Sequence, residues 1–233
     1  MGAVEIIYDE SDAVDGGLPK AEDANVQVHT YFPTSIYTVE VPEYLDLVKA
    51  VALEAVPEDA KDYDEIFPVV MSTNMSLDSR LDGFANYVGK IALDILDLQG
   101  VATENYYTYF TEMWMQEHHK HSLMEQHSHA GGTQIIGFYF LEVPDNSSSL
   151  IVHDPRPGKV QIGLFQKSHT EITYSSDTIV IQPTPGMMVF TNAWLPHSFG
   201  RHGSDKPIRF IHFNLATVPR MNPNQEQTAC PSS

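Results

Sequence analysis

The chain is poor in cysteine, in basic residues and in long apolar runs, and each shortage removes a class of function. The single cysteine, Cys230, lies three residues from the end of 233 in a polar tail. A disulfide framework and a thiolate metal site are therefore both excluded. Any metal must be held by imidazoles and carboxylates. Lys and Arg number 13 against 31 Asp and Glu, a formal charge of -18, which repels a phosphate backbone, so direct nucleic-acid binding is not expected. The acidity reads as a solubility adaptation rather than the mark of a cationic partner. No apolar stretch approaches the roughly 20 residues of a membrane span, and the N-terminus lacks the basic-then-apolar order of a signal peptide. The expectation is a cytoplasmic protein without membrane attachment.

What is present divides the chain into three parts. Residues 1–25 are acidic, strand-like only from Val4 to Tyr8, and read as a loosely held arm. Residues 26–217 read as one domain, with a helical annex over 26–103 and a β core over 104–217. Residues 218–233 have little to bury and read as a flexible tail. Within the annex, a short strand precedes Pro42, and a helix is expected from Glu43 to Val56, with Pro42 pre-setting its first turn and Pro57 ending it. A second helix follows from Leu81, Phe84, Val88, Ile91, Ile95 and Leu98, an apolar stripe at three- and four-residue steps that stops at Gly100. From Tyr106 the pattern changes to short runs rich in Tyr, Phe, Val and Ile: YYTYFTEMWMQ, TQIIGFYFLEV, SLIVHD, KVQIGLF, TIVIQ, GMMVF and IRFIHFNLA. The breaks between them carry the Gly, Pro, Asn, Asp and Ser of turns. Helices followed by about seven such strands predict a mainly β fold with flanking helices, closed or built of two antiparallel sheets.

Five of the eleven histidines fall between His118 and His129. Residues two apart on a strand share a face, so His127 and His129 can aim both rings at one point while Ser128 faces away. The plain alternative is a pair of solvated or core-satisfied histidines at a strand edge. A third ligand is offered by His197, which the chain presents after the Gly186 turn, the MMVF strand, Trp194 and Pro196. His118, His119 and His121 read as loop residues. Twelve residues beyond His197, Arg209 is the only basic residue of IRFIHFNLA. Strand alternation groups it with Ile211 and Phe213, pointing into the barrel and leaving His212 outside. A buried guanidinium requires an anion, either an internal Asp or Glu or a ligand carboxylate gripped by its planar donors.

His127-x-His129, the Gly186 turn, His197 and Arg209 together resemble the iron(II)- and 2-oxoglutarate-dependent oxygenases over residues 104–217. The resemblance is strongest to a prolyl-hydroxylase-like branch of bacteria and marine phages, through Trp114 before the histidine pair, IIGFYFLEVP after it, and Asp154-Pro155-Arg156. It implies a double-stranded β-helix (a cupin-like jelly roll) in which His127, His129 and His197 hold Fe(II). Arg209 would pair with the far carboxylate of 2-oxoglutarate, and Trp114 and Tyr139 would line the pocket. It also implies the activity: 2-oxoglutarate and O2 are consumed, succinate and CO2 released, and an unactivated C–H hydroxylated. The substrate would be a peptide or protein side chain first, a small metabolite second, chosen by loops after Pro144 and from Asp154 to Lys167. A homodimer is left open, and a phage-encoded protein would act in its host's cytoplasm.

The chain departs from that family where His129 stands in place of the usual carboxylate ligand. Glu125 and Asp154 are the alternatives that could complete the triad. Ile211 also replaces the serine often found two residues after the arginine. A cupin is the rival metal enzyme, but Ala130-Gly131-Gly132-Thr133 after the pair, and His197 eleven residues past Gly186, favour oxygenase spacing. A non-catalytic β-sandwich with a structural or relic metal is the rival of another class. Arg209 is the feature held to discriminate against it.

Overall fold

A computed structural model describes residues 26–63, 66–156, 164–168 and 170–220. The expected strand from Val4 to Tyr8, most of KVQIGLF and nearly all of the tail lie outside them. Contacts divide the chain into residues 1–34 and 35–233, and the second unit contains every element described below.

The annex begins with β1 (Ile36–Glu40), then a 3-10 turn at Pro42–Tyr44 and helix α1 (Leu45–Glu54). The helix is shorter at both ends than Glu43–Val56 because proline at the first position favours the tighter turn and Pro57 forbids continuation. After β2 (Val69–Met71), which the sequence does not announce, α2 spans Asp82–Leu98. Its buried face is Phe84, Val88, Ala92, Ile95 and Leu96, while Leu98, the last member of the stripe, faces out. Gly100 adopts φ +87, and the backbone N–H groups of Gly100 and Val101 donate to Asp97 and Leu96. That two-bond closure satisfies the last carbonyls and needs a left-handed residue at Gly100.

The β core comprises β3 (Tyr106–His118), β4 (Met124–His127), β5 (Thr133–Glu142), β6 (Leu150–His153), β7 (Thr178–Ile181), β8 (Met187–Asn192), β9 (His197–Phe199) and β10 (Ile208–Pro219). All pairs are antiparallel: a six-stranded sheet in the order β1-β8-β5-β10-β3-β2 and a four-stranded sheet in the order β4-β9-β6-β7. This is a double-stranded β-helix with helices on one face.

Two cores use opposite faces of the larger sheet. Met113, Met115, Ile135, Tyr139, Ile211 and Phe213 pack with Phe84 and Val88 of α2 on the helix side. Ile136, Phe138, Phe140, Ile208 and Phe210 meet Leu150, Val152 and Phe199 of the smaller sheet on the inter-sheet side. At the centre, Gly137 lets the Phe213 ring lie over the β5 backbone: a Cβ there would stand 2.3 Å from it. Because both faces are covered, β5 and β10 are apolar on both, and their alternation does not reveal which side is the inside.

Candidate metal centre

Three histidines meet at the mouth between the sheets. β4 pairs with β9 so that His127 and His197 are direct cross-strand partners, which places their side chains together. β4 ends at His127, so the two histidines of His-x-His do not share a strand as expected. His129 lies just beyond, where its backbone N–H donates to the carbonyl of Ala193 at 2.8 Å and ties the loop to the chain leading into His197. One ligand atom from each of His127, His129 and His197 lies within 4.8 Å of the others, and this is the one such group among the described residues.

The hydrogen bonds prepare these rings as ligands. His127 Nδ1–H donates to the carbonyl of Glu125 at 2.8 Å, and His197 Nδ1–H donates to that of Leu195 at 3.1 Å. A carbonyl can only accept, so each Nδ1 carries the proton and each Nε2 keeps its lone pair. Such outer partners fix the tautomer of metal-binding imidazoles. His129 Nε2 and His197 Nε2 are buried with no hydrogen-bond partner, an arrangement that costs free energy unless something fills it. Burial, reinforced by His127, pushes His129 down to about 4, with Glu112 opposing. Burial likewise pushes His197 down to about 4, against the bond to Leu195. Both are neutral at pH 7, as metal ligation requires.

A fourth imidazole stands beside them. His212 is 2% exposed, with its ring centre 5.0 Å from that of His129 and 6.5 Å from that of His197. Its Nδ1–H donates to the carbonyl of Gly137 at 3.1 Å, and burial holds its pKa well below the ordinary imidazole value. Trp114 meets it edge-on at 4.6 Å, which places the tryptophan against His212.

Arg209 does not, which corrects the reading of β10. His212 takes the inter-sheet face, and Arg209 goes with Ile211 and Phe213 to the helix side. There Arg209 pairs with Glu117 and Glu142, while Lys49 also bonds Glu142 and His119 Nε2 lies 2.6 Å from Glu117. Burial raises the Glu142 carboxyl, but hydrogen bonds from Lys49 and Arg209 outweigh it and hold it below the usual carboxylate range. The anion that Arg209 demanded is internal. Tyr139 is on the same helix side: its hydroxyl donates to the carbonyl of Val41 at 2.7 Å and its ring packs on Phe84, so it does not line the pocket. His118 is not a loop residue either; it ends β3, buried against Phe199 and Phe210. Neither carboxylate alternative joins the histidines. Glu125 is exposed and contributes its backbone carbonyl, and Asp154 bonds Arg156.

Residues 112–214 match a family model for 2OG-Fe(II) oxygenases. Over that span, which takes in most of the β core, the chain is similar to that family. Solved structures of other proteins agree with the β core in fold. A Pseudomonas putida prolyl-4-hydroxylase has 12% identity and a TM-score of 0.52, over 78% of this chain and 93% of that one. The non-heme alpha ketoglutarate dependent epimerase SnoN from nogalamycin biosynthesis has 13% identity and a TM-score of 0.55, over 86% of each chain. HygX from Streptomyces hygroscopicus, solved with nickel, 2-oxoglutarate and hygromycin B bound, has 11% identity and a TM-score of 0.51, over 78% of this chain and 83% of that one. No curated protein sequence matches the chain.

Proposed function

We propose that the protein is an iron(II)- and 2-oxoglutarate-dependent hydroxylase acting on an unactivated C–H bond, with a peptide or protein side chain as substrate ahead of a small metabolite. The observation that carries this reading is the convergence of His127, His129 and His197, with two Nε2 atoms buried and unpartnered, in a core that matches the oxygenase family. The prolyl-4-hydroxylase fold supports the substrate class.

The donor set fits a divalent iron. Three neutral nitrogens on one side leave the opposite side for a chelating co-substrate and for O2. When bound, iron with 2-oxoglutarate supplies the oxidising chemistry, and succinate and CO2 leave. The chain itself supplies geometry and shelter. The carbonyls of Glu125 and Leu195 aim His127 and His197, while the Ala193 carbonyl holds the backbone of His129. Behind the histidines Phe138 packs on His197 and on the His212 ring, keeping water from the rear of the centre. His212, neutral and fixed by Gly137, faces the centre beside Trp114 and positions what enters there.

Anaerobic addition of 2-oxoglutarate to Fe(II)-loaded protein tests the reading. A visible charge-transfer band that requires both iron and 2-oxoglutarate supports it, and a metal-loaded protein that gives no band overturns it.

A further inference from the structure

The face of β10 that carries His212 continues into a polar pair that the metal centre does not use. Trp114 stands opposite His212, and Glu112 opposite Asn214. Residues two apart on a strand share a face, so Glu112 and Asn214 lie one step along the strands from the imidazole beside the triad. Asn214 is 5% exposed, and its Nδ2 donates to Glu112 Oε2 at 3.0 Å. A carboxylate can only accept, so the amide is fixed with its nitrogen towards Glu112 and its oxygen away. That oxygen, Oδ1, is buried with no hydrogen-bond partner, which is unfavourable unless a donor reaches it.

The polar atoms left over on this face all accept. Glu112 is exposed, and among the described residues the ion pairs of lysine and arginine all go to other carboxylates. Its charge is felt at the triad, where it raises His129 against burial. His212 gives its Nδ1 proton to the Gly137 carbonyl and so keeps a lone pair on Nε2. Trp114, half-buried on the same face, adds an aromatic ring of the kind that attracts cations. An anion entering here would meet acceptors and a carboxylate, and a hydrocarbon would leave Asn214 Oδ1 unsatisfied. A protonated amine answers both, and a chain of net charge -18 draws it in. We propose that Glu112 and Asn214 select a substrate bearing an alkylammonium group, holding it by its N–H donors so that a nearby C–H lies at the triad. The inference rests on the proposed function and narrows its substrate class to a lysyl side chain or a free alkylamine.

The test is calorimetry on full-length protein loaded anaerobically with Fe(II) and 2-oxoglutarate. It compares Nα-acetyl-lysine methylamide with the 2-aminoheptanoyl analogue, in which a methyl group replaces the ammonium. Wild type should bind the lysine probe about tenfold to a hundredfold more tightly, the range of one charge-assisted contact. Glu112→Gln, which can still accept from Asn214 Nδ2, should remove most of that preference, and Asn214→Leu part of it. Glu125→Gln, on the wall of the neighbouring cavity, should leave it intact. Equal affinity for the two probes, binding of neither, or an unchanged preference in Glu112→Gln overturns the assignment. So does a folded Glu112→Gln that no longer holds iron, because the carboxylate then serves the metal. Pentylamine sorts the source: binding as tight as the lysine probe points to a free amine, and weaker binding that still depends on Glu112 points to a peptide, and both uphold the ammonium. Absence of the charge-transfer band when 2-oxoglutarate is added, before any amine, overturns the proposed function itself.

Discussion

The two faces of β10 carry similar residues and do different work. Both are mostly apolar, and each holds a nitrogen-rich ring or guanidinium: His212, buried between the sheets, and Arg209, partly buried beneath the helices. His212 keeps a neutral ring beside the histidine triad, whereas Arg209 keeps its charge by meeting Glu117 and Glu142. The difference is set by surroundings. A guanidinium cannot shed its proton and must find anions, so it settles where the neighbouring strands β3 and β5 supply them. An imidazole adapts to an apolar cleft by staying neutral.

This contrast can be broken by substitution. The largest effect is expected on the inter-sheet side, at the triad: His197→Ala should abolish stoichiometric iron binding, measured by metal content after gel filtration, whereas His121→Ala should retain it. Arg209→Ala should leave iron content unchanged yet cost about 2 kcal/mol of stability, because Glu117 and Glu142 lose a partner in a partly buried place. Chemical denaturation checks this. Lost iron with unchanged stability would reverse the assignment of the two faces.

The pH dependence sharpens the comparison further. Unfolded imidazoles bind protons near 6.5, but folded His129 and His197 do so only near 4. The unfolded state therefore binds more protons between these values. Metal-free protein should have its full contribution from these groups above about 6.5 and lose it progressively as pH falls toward about 4. Urea midpoints across that range should fall, and a His129→Gln/His197→Gln double variant should flatten the slope. The smallest effect is expected from His212→Phe, which retains ring volume and leaves the Gly137 carbonyl without its donor. A stability loss of about 1 kcal/mol with iron content preserved would place His212 beside the metal and not on it.

Much of this architecture was legible in residue patterns. The stripe from Leu81 to Leu98 has one covered face and reads directly as α2, and the turn chemistry marks β5, β6 and β8. His127, His129 and His197 were legible as a set because a chain with a single cysteine, placed in its tail, concentrates its metal-binding capacity in imidazoles. The short β2 and β9 were not, since three residues carry too little periodicity to stand out, and the strand expected to carry both His127 and His129 stops at His127. The faces of β10 were misread for a different reason. RFIHFN alternates a cation with an imidazole, but both faces are buried, so hydrophobicity gives no contrast. The anions that decide the matter, Glu117 and Glu142, lie on neighbouring strands, 92 and 67 residues away.

That misreading matters because Arg209 had been the argument against a merely structural metal site. Paired internally, it no longer bears on the choice, and the oxygenase reading rests on the triad's orphaned nitrogens and the family match over residues 112–214. The most direct measurement is the anaerobic titration of Fe(II)-loaded protein with 2-oxoglutarate, run in parallel on wild type, His197→Ala and Arg209→Ala. A charge-transfer band in wild type and Arg209→Ala, absent from His197→Ala, is the predicted result. No band in wild type, or one abolished in a folded Arg209→Ala that still holds iron, would contradict it.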